Sequence, residues 1–269
     1  MFYCGCDLGS ATGKAVIIDD DGVVSSAIAP STTDPSNTAT LVIETALGEA
    51  GLTSVEELEC IVGTGYGRRS VPFRARDISE ISCHAYGAFW LNPRARTVVD
   101  IGGQDCKVIS LDGSGRVLEF AMNDKCAAGT GRFFEAMARA MDCTLEELEA
   151  LSLSSSTPEQ ITSQCSVFAE SEVITLIYNG SDPADIAAGI HDSIAGRLHS
   201  MIYKVGTEPE IVLSGGGAIS RALARSLEQR LGLEVAALSR NPQIVGALGA
   251  ALYARDSVVD QQRAKPVHS

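Results

Sequence analysis

Two cysteines and two matched aspartate loops hold the side chains in this sequence best suited to chemistry. Cys126 stands in Asn-Asp-Lys-Cys-Ala-Ala-Gly-Thr-Gly-Arg-Phe-Phe and Cys165 in Ser-Gln-Cys-Ser-Val-Phe-Ala-Glu-Ser-Glu-Val-Ile, each just ahead of a run with helical composition. A thiolate at a helix start is stabilised by the helix dipole and by unbonded backbone N–H groups. Two thiolates are too few for a four-iron cluster, which takes four, but a symmetric partner could supply the other two. The pair is far apart in the chain, unlike a Cys-x2-Cys ribbon, so these two alone cannot close a four-ligand zinc or iron site in one subunit.

The loops are Asp7-Leu8-Gly9-Ser10-Ala11-Thr12-Gly13-Lys14 and Asp100-Ile101-Gly102-Gly103-Gln104-Asp105-Cys106-Lys107. Both place Gly two residues and Lys seven residues after the Asp. Glycines let the backbone approach phosphate oxygens closely, and the amides and hydroxyls of Ser10 and Thr12 can donate to them. Asp7, at a strand end, is suited to holding Mg²⁺ directly or through water. Asp100 is placed to serve the metal or to orient an attacking water, and Gln104 to sense a terminal phosphate. A third turn, Ser214-Gly215-Gly216-Gly217-Ala218, follows an apolar strand and fits a surface on which a nucleoside or α-phosphate lies flat. Neither the P-loop spacing nor the dinucleotide Gly-x-Gly-x-x-Gly fingerprint is present.

These loops need hairpins to hold them. Residues 2–6, 15–19 and 23–29 read as three strands of a meander, followed by a helix over 37–50, a strand ending at Gly63-Thr64-Gly65, and a helix over 79–90. The strand, glycine turn, strand pattern then restarts at Thr97, which makes the chain an internal duplication of two similar α/β halves. Helices are expected over 129–141, 144–151, 166–179, 183–205, 220–231 and 244–254, with short strands at 210–213 and 234–238. The expected division is 1–95, 96–254 (with the cysteine-bearing helices) and a frayed tail at 255–269. The remaining cysteines read as buried small hydrophobes, with Cys106 left without a role, and His84 and His191 read as groups on apolar helices with no chemistry.

With 269 residues, 45% of them apolar and a net charge of −13, the sequence describes an ordinary globular chain and argues against a nucleic-acid partner. Its start runs straight into a strand-like segment without a basic leader. No apolar stretch is long enough to cross a bilayer. The expectation is a cytoplasmic protein with no membrane association.

The three glycine loops together resemble the actin/hexokinase/Hsp70 superfamily, whose ribonuclease H-like subdomains flank a nucleotide cleft. Combined with Asn-Asp-Lys-Cys-Ala-Ala-Gly-Thr-Gly and Cys-Ser-Val-Phe-Ala-Glu-Ser-Glu-Val, they resemble the activators of 2-hydroxyacyl-CoA dehydratases, close relatives of the ATPase subunits of benzoyl-CoA reductases. The resemblance covers residues 2 to 254. It implies one [4Fe–4S] cluster per homodimer, with Cys126 and Cys165 of each subunit as ligands. It also implies ATP or ADP with Mg²⁺ at Gly9, Ser10, Ala11, Thr12, Lys14, Gly102, Gly103, Gln104, Gly215, Gly216, Gly217, Ala218 and Gln243. The implied activity is ATP-coupled transfer of one low-potential electron, taken from a flavodoxin or ferredoxin and passed to a dehydratase or reductase component. Beside a non-enzymatic binding module, such as a nucleotide-gated sensor or scaffold, the rival reading is a small-molecule kinase of the same superfamily. It would need a catalytic Asp beside a sugar or acid pocket, whereas the middle of this chain is spent on the cysteine-bearing helices.

Overall fold

The computed structural model describes residues 1–125, 127, 129–162, 165–206 and 208–264, with only the backbone for 261–264. Its first half runs β1 (Phe2–Leu8), β2 (Thr12–Ile18), β3 (Val23–Pro30), α1 (Pro35–Glu49), β4 (Leu58–Thr64), β5 (Arg76–Asp77) and α2 (Glu80–Leu91). The second half runs β6 (Thr97–Ile101), β7 (Cys106–Leu111), β8 (Val117–Asn123), α3 (Gly131–Ala140), α4 (Leu145–Ser154), α5 (Ser166–Tyr178), α6 (Pro183–Val205), β9 (Ile211–Ser214), α7 (Arg221–Leu231), β10 (Val235–Ala236) and α8 (Val245–Ala264).

The duplication expected from the sequence is present strand for strand. The first sheet has the order β3-β2-β1-β4-β5 and the second, read from its opposite edge, β8-β7-β6-β9-β10. In each, the hairpin partner of the first strand is antiparallel and the crossover partner is parallel. The same register recurs: Asp7 lies opposite Lys14 and Thr64, and Asp100 lies opposite Lys107 and Ser214.

Two compact units result, and their boundaries differ from the expected split. The first unit takes Met1–Arg94, Gly113–Val117 and the chain from Ser239 onward; the second takes Ala95–Asp112 and Leu118–Leu238. The first sheet is covered on one face by α1, whose residues Ala39, Val42, Ile43, Ala46 and Leu47 bury beside Cys4, Cys6 and Ile17. Asp34 starts that helix by accepting from the Ser36 amide, with Pro35 in its first turn. The other face, including Tyr3, Val16, Ile18 and Val62, is covered by Ala247, Leu248, Ala251 and Leu252 of α8 and by Cys83 of α2. The approach is close enough that a side chain at Gly5 would strike the α8 backbone at Ala247 and Ala251. The helix expected over 244–254 therefore extends to Ala264, and residues 255–264 are not a frayed tail.

In the second unit, α6 buries Ile186, Ile190, Ile194, Leu198 and Ile202 at helical spacing against Val99, Ile101 and Val108 of the sheet and Phe133 and Met137 of α3. Each such aliphatic side chain contributes about 1.5–3 kcal/mol by leaving water. Two features remain apolar and open. The strand β8 lies at a sheet edge with Leu118, Phe120 and Met122 exposed, and α5 exposes Val167, Phe168, Ile174, Ile177 and Tyr178. Among the described residues, no helix is long and apolar enough to cross a membrane.

Candidate functional site

Each unit builds its loop as a two-residue hairpin turn. The Gly9 amide donates to the Thr12 carbonyl at 3.1 Å, and the Gly102 amide to the Asp105 carbonyl at 2.9 Å. The turns lift Ser10, Ala11 and Gln104 into solvent, while Asp7 and Asp100 sit buried one step below. The recurring lysine is the cross-strand partner of the aspartate. Lys14 Nζ lies 3.3 Å from Asp7 Oδ2, and Lys107 Nζ lies 3.1 Å from Asp100 Oδ2 and 2.8 Å from Asp105 Oδ2. Both ion pairs are buried, where losing one partner leaves a costly uncompensated charge.

The sequence reading missed a second repeated element. The crossover strand of each unit ends in a hydroxyl residue and a left-handed glycine, Thr64-Gly65 and Ser214-Gly215. Ser214 Oγ donates to Asp100 Oδ1 at 3.3 Å. A Cβ at Gly215 (φ +85°) would lie 2.5 Å from Asp100 Oδ1, and one at Gly65 (φ +83°) would strike Asp7 Oδ1. The backbone thus passes against each carboxylate where only glycine fits. The signal was legible in two apolar strands that both end in hydroxyl-Gly.

In the second unit the structure brings together Asp100, Gly102, Gly103, Gln104 and the Gly215–Ala218 turn, all at the same ends of the neighbouring strands β6 and β9. The first unit gathers Asp7, Gly9, Ser10, Ala11, Thr12 and Lys14 on its hairpin, with Gln243 in the turn that leads into α8 and packs against β2. His84, read from sequence as having no chemistry, belongs with them. A Cβ at Gly246 would lie 2.7 Å from His84 Nε2 and 3.1 Å from Asp7 Oδ2, so imidazole and carboxylate border one glycine. His191 is inert in comparison: it packs on Phe134 and bonds the Ala187 carbonyl, and burial pushes its pKa down.

The cysteines divide by environment. Cys4, Cys6, Cys83 and Cys106 are buried thiols; burial pushes Cys4 and Cys83 up to about 12 and Cys106 to about 11. Cys165 is exposed at the start of α5, and its thiol does not cap the helix. The segment leading to it is tied to α5, where both Thr162 groups donate to the Glu172 carboxylate. Cys126 lies outside the described residues. The residues after it are fastened to the second loop, because the Gly131 and Arg132 amides that open α3 donate to the Gly102 and Gly103 carbonyls at 2.9 and 3.0 Å. Thr130, fully buried, donates to the Ala127 carbonyl. Among the described residues, no group of three or more His, Cys, Asp or Glu is placed to hold a metal.

A duplicated five-stranded sheet with a paired Asp hairpin in each half defines an ATPase fold of the actin/hexokinase/Hsp70 kind. A glucokinase from Streptomyces griseus, crystallised with glucose and AMPPNP, shares that fold at a TM-score of 0.59 with 12% identity, covering 95% of this chain and 100% of that one. Residues 4–254 match the BadF/BadG/BcrA/BcrD ATPase family, and the chain belongs to that family. It is 42% identical to a 2-hydroxyisocaproyl-CoA dehydratase activator of Clostridioides difficile, over 98% of both chains. It is 40% identical to an (R)-2-hydroxyglutaryl-CoA dehydratase activating ATPase of Acidaminococcus fermentans, over 94% of this chain and 97% of the relative. The solved structure of the Clostridium difficile activator with bound ADPNP superposes at a TM-score of 0.93, covering 100% of both chains at 40% identity.

Proposed function

We propose that this protein is an ATP-driven activator that delivers single low-potential electrons to a 2-hydroxyacyl-CoA dehydratase or a related CoA-substrate enzyme. ATP is bound with Mg²⁺. Gly9, Ser10, Ala11 and Thr12 on the first loop and Gly102, Gly103 and Gln104 on the second hold phosphate oxygens, while Gly215–Ala218 and Gln243 hold the rest of the nucleotide. Asp7 serves the metal, and Asp100 serves the metal or orients the attacking water. Lys14 and Lys107 fix those carboxylates in place.

The observation that carries this reading is the direct tie between the second loop and α3. Gly102 and Gly103 accept from the first two amides of the helix that follows Cys126. A shift of that loop on hydrolysis is therefore passed by backbone hydrogen bonds to the cysteine segment, the differential contact that two-state coupling requires. The residues present fit a shared [4Fe–4S] cluster: Cys165 is an exposed cysteine at a helix start, and Cys126 precedes a helix start. With two such cysteines per chain, a homodimer supplies the four thiolates, and when bound the cluster supplies the one-electron chemistry. The exposed apolar face of α5 and the edge strand β8 support contacts with a second copy, an electron-donating flavodoxin or ferredoxin, or the acceptor enzyme. A cytoplasmic location goes with this reading.

Anaerobically purified protein tests it. The expected result is four iron and four sulfide per two chains, a paramagnetic reduced state whose spectrum changes with ATP, and ATP-dependent reduction of a dehydratase component. Protein free of iron under those conditions would refute the reading. Transfer of phosphate to a sugar or acid, with no electron transfer, would establish the kinase reading instead.

A further inference from the structure

The second unit contains a cavity of 640 Å³ that the nucleotide and cysteine readings do not use. One wall is a single face of α6, where Ser193, Arg197, Ser200 and Lys204 follow one another at helical spacing. Arg230 lines it as well, but Asp192 holds that guanidinium by two hydrogen bonds of 2.6 Å. The lining also includes the apolar Met122, Phe133 and Ile161, and Asn123, whose amide donates to Cys106 Sγ. No acidic side chain lines the cavity among the described residues, in a chain whose net charge is −13.

Arg197 makes the cavity more than a gap. Its Nε is the one buried side-chain nitrogen or oxygen without a hydrogen-bond partner among the described residues. A buried guanidinium N–H is a strong donor, and native structures rarely leave such a group unanswered. Its stem passes Gly129, whose Cβ would lie 3.2 Å from Arg197 Cδ and 3.2 Å from Cys106 Sγ, so the arginine is packed in place at the inner end. Lys204, in the last turn of α6, is exposed at the other end.

We infer that this cavity binds a small amphipathic oxyanion, a carboxylate, sulfonate or phosphate carried on an apolar ring or chain. The anionic group takes the Arg197 guanidinium, Lys204 adds a second positive charge, and the apolar part lies on Phe133 and Met122; the Ser193 and Ser200 hydroxyls donate to the Ile190 and Gly196 carbonyls of α6 and serve only as part of the wall. The volume suits a ligand of that size. The site is separate from the proposed nucleotide loops and does not depend on their assignment.

The test uses full-length protein saturated with ADP, titrated with the fluorescent anion anilinonaphthalene sulfonate and, in parallel, with uncharged phenylnaphthylamine. Arg197→Met is expected to weaken the anion about tenfold and Lys204→Ala about threefold, with the neutral probe unchanged in both. Anion affinity equal to that of the unaltered protein in both variants would overturn the proposal, as would equal losses for the two probes. If circular dichroism shows Arg197→Met unfolded, Lys204→Ala decides alone: a threefold loss confined to the anion supports the site, and no loss overturns it.

Discussion

Asp100 and Lys107 stand opposite each other in the β6–β7 register with their charged groups 3.1 Å apart, and Asp7 and Lys14 repeat the relationship at 3.3 Å in the first sheet. The spacing of seven residues is thus the closure distance of a hairpin whose turn is free to face a ligand.

The two partners are expected to fail differently. Asp100→Asn keeps the shape and removes the charge assigned to the metal or attacking water. ATP turnover should fall about a hundredfold or more, with nucleotide affinity changed less. Lys107→Met leaves Asp100 buried without its cation, and unfolding free energy should drop by about 3 kcal/mol. Turnover rates and denaturant melts separate the two. Equal effects of both variants on stability and on rate would contradict the division of roles.

Gly65→Ala and Gly215→Ala should each push an aspartate out of position. The left-handed backbone strain costs about 1–2 kcal/mol, and the collision with the carboxylate adds loss of ATP hydrolysis. Gly48→Ala, at a glycine with open space around it inside α1, is the control and should stabilise slightly. Unchanged hydrolysis in Gly215→Ala would remove Asp100 from the site.

Brief alkylation of the native apoprotein at pH 8 should mark Cys165 and spare Cys4 and Cys83. With thiols pushed up to about 12, the last two hold a thiolate fraction of about one in ten thousand at that pH and are shielded as well. Peptide mapping by mass spectrometry reads the result. Cys165→Ser should leave the melting temperature within about 2 °C, because its side chain is exposed, while lowering iron content in anaerobic preparations.

Alkaline pH should destabilise the fold early. Cys4, Cys83 and Cys106 keep their protons in the folded chain to about 12, 12 and 11, whereas an unfolded thiol ionises near about 8.5. Folded pKa values raised above unfolded ones give stability that is complete below about pH 8.5 and is lost as pH climbs toward the folded values. Each group contributes at most about 1.4 kcal/mol per pH unit in that window. Urea melts at pH 8 and pH 10 should show the drop, and Cys4→Ala should show less of it.

The duplicated hairpins were legible in the sequence because their parts are local: Asp, Gly and Lys fall within one turn and two strands. The elements that complete them left a fainter mark, the matched hydroxyl-Gly ends of two apolar strands, whose role depends on pairing that is not local. Thr64-Gly65 and Ser214-Gly215 reach the aspartates only through parallel pairing with distant strands, and His84 and Asp7 are brought to one place only by Gly246 on α8, which both side chains border. The end of α8 was misread for a related reason. Its composition past Ala254 is polar, and tertiary contacts sustain it: Tyr86 Oη donates to Asp256 at 2.8 Å, Ser257 meets Cys60, and Val258 packs on the apolar cluster.

That last helix sets an order of assembly. The second unit is finished within Leu238, but one side of the first sheet, with Tyr3, Val16 and Val62, has only the α2 part of its cover until Ala247–Leu252 have been synthesised. On the ribosome the earlier-made half must therefore wait for the later-made half, holding an open apolar surface in the interval. Hydrogen exchange on a nascent chain that ends at Leu238 and is held clear of the ribosome by a C-terminal linker should find β1 unprotected and β6 protected; protection in β1 at that stage would show that the first sheet closes without α8.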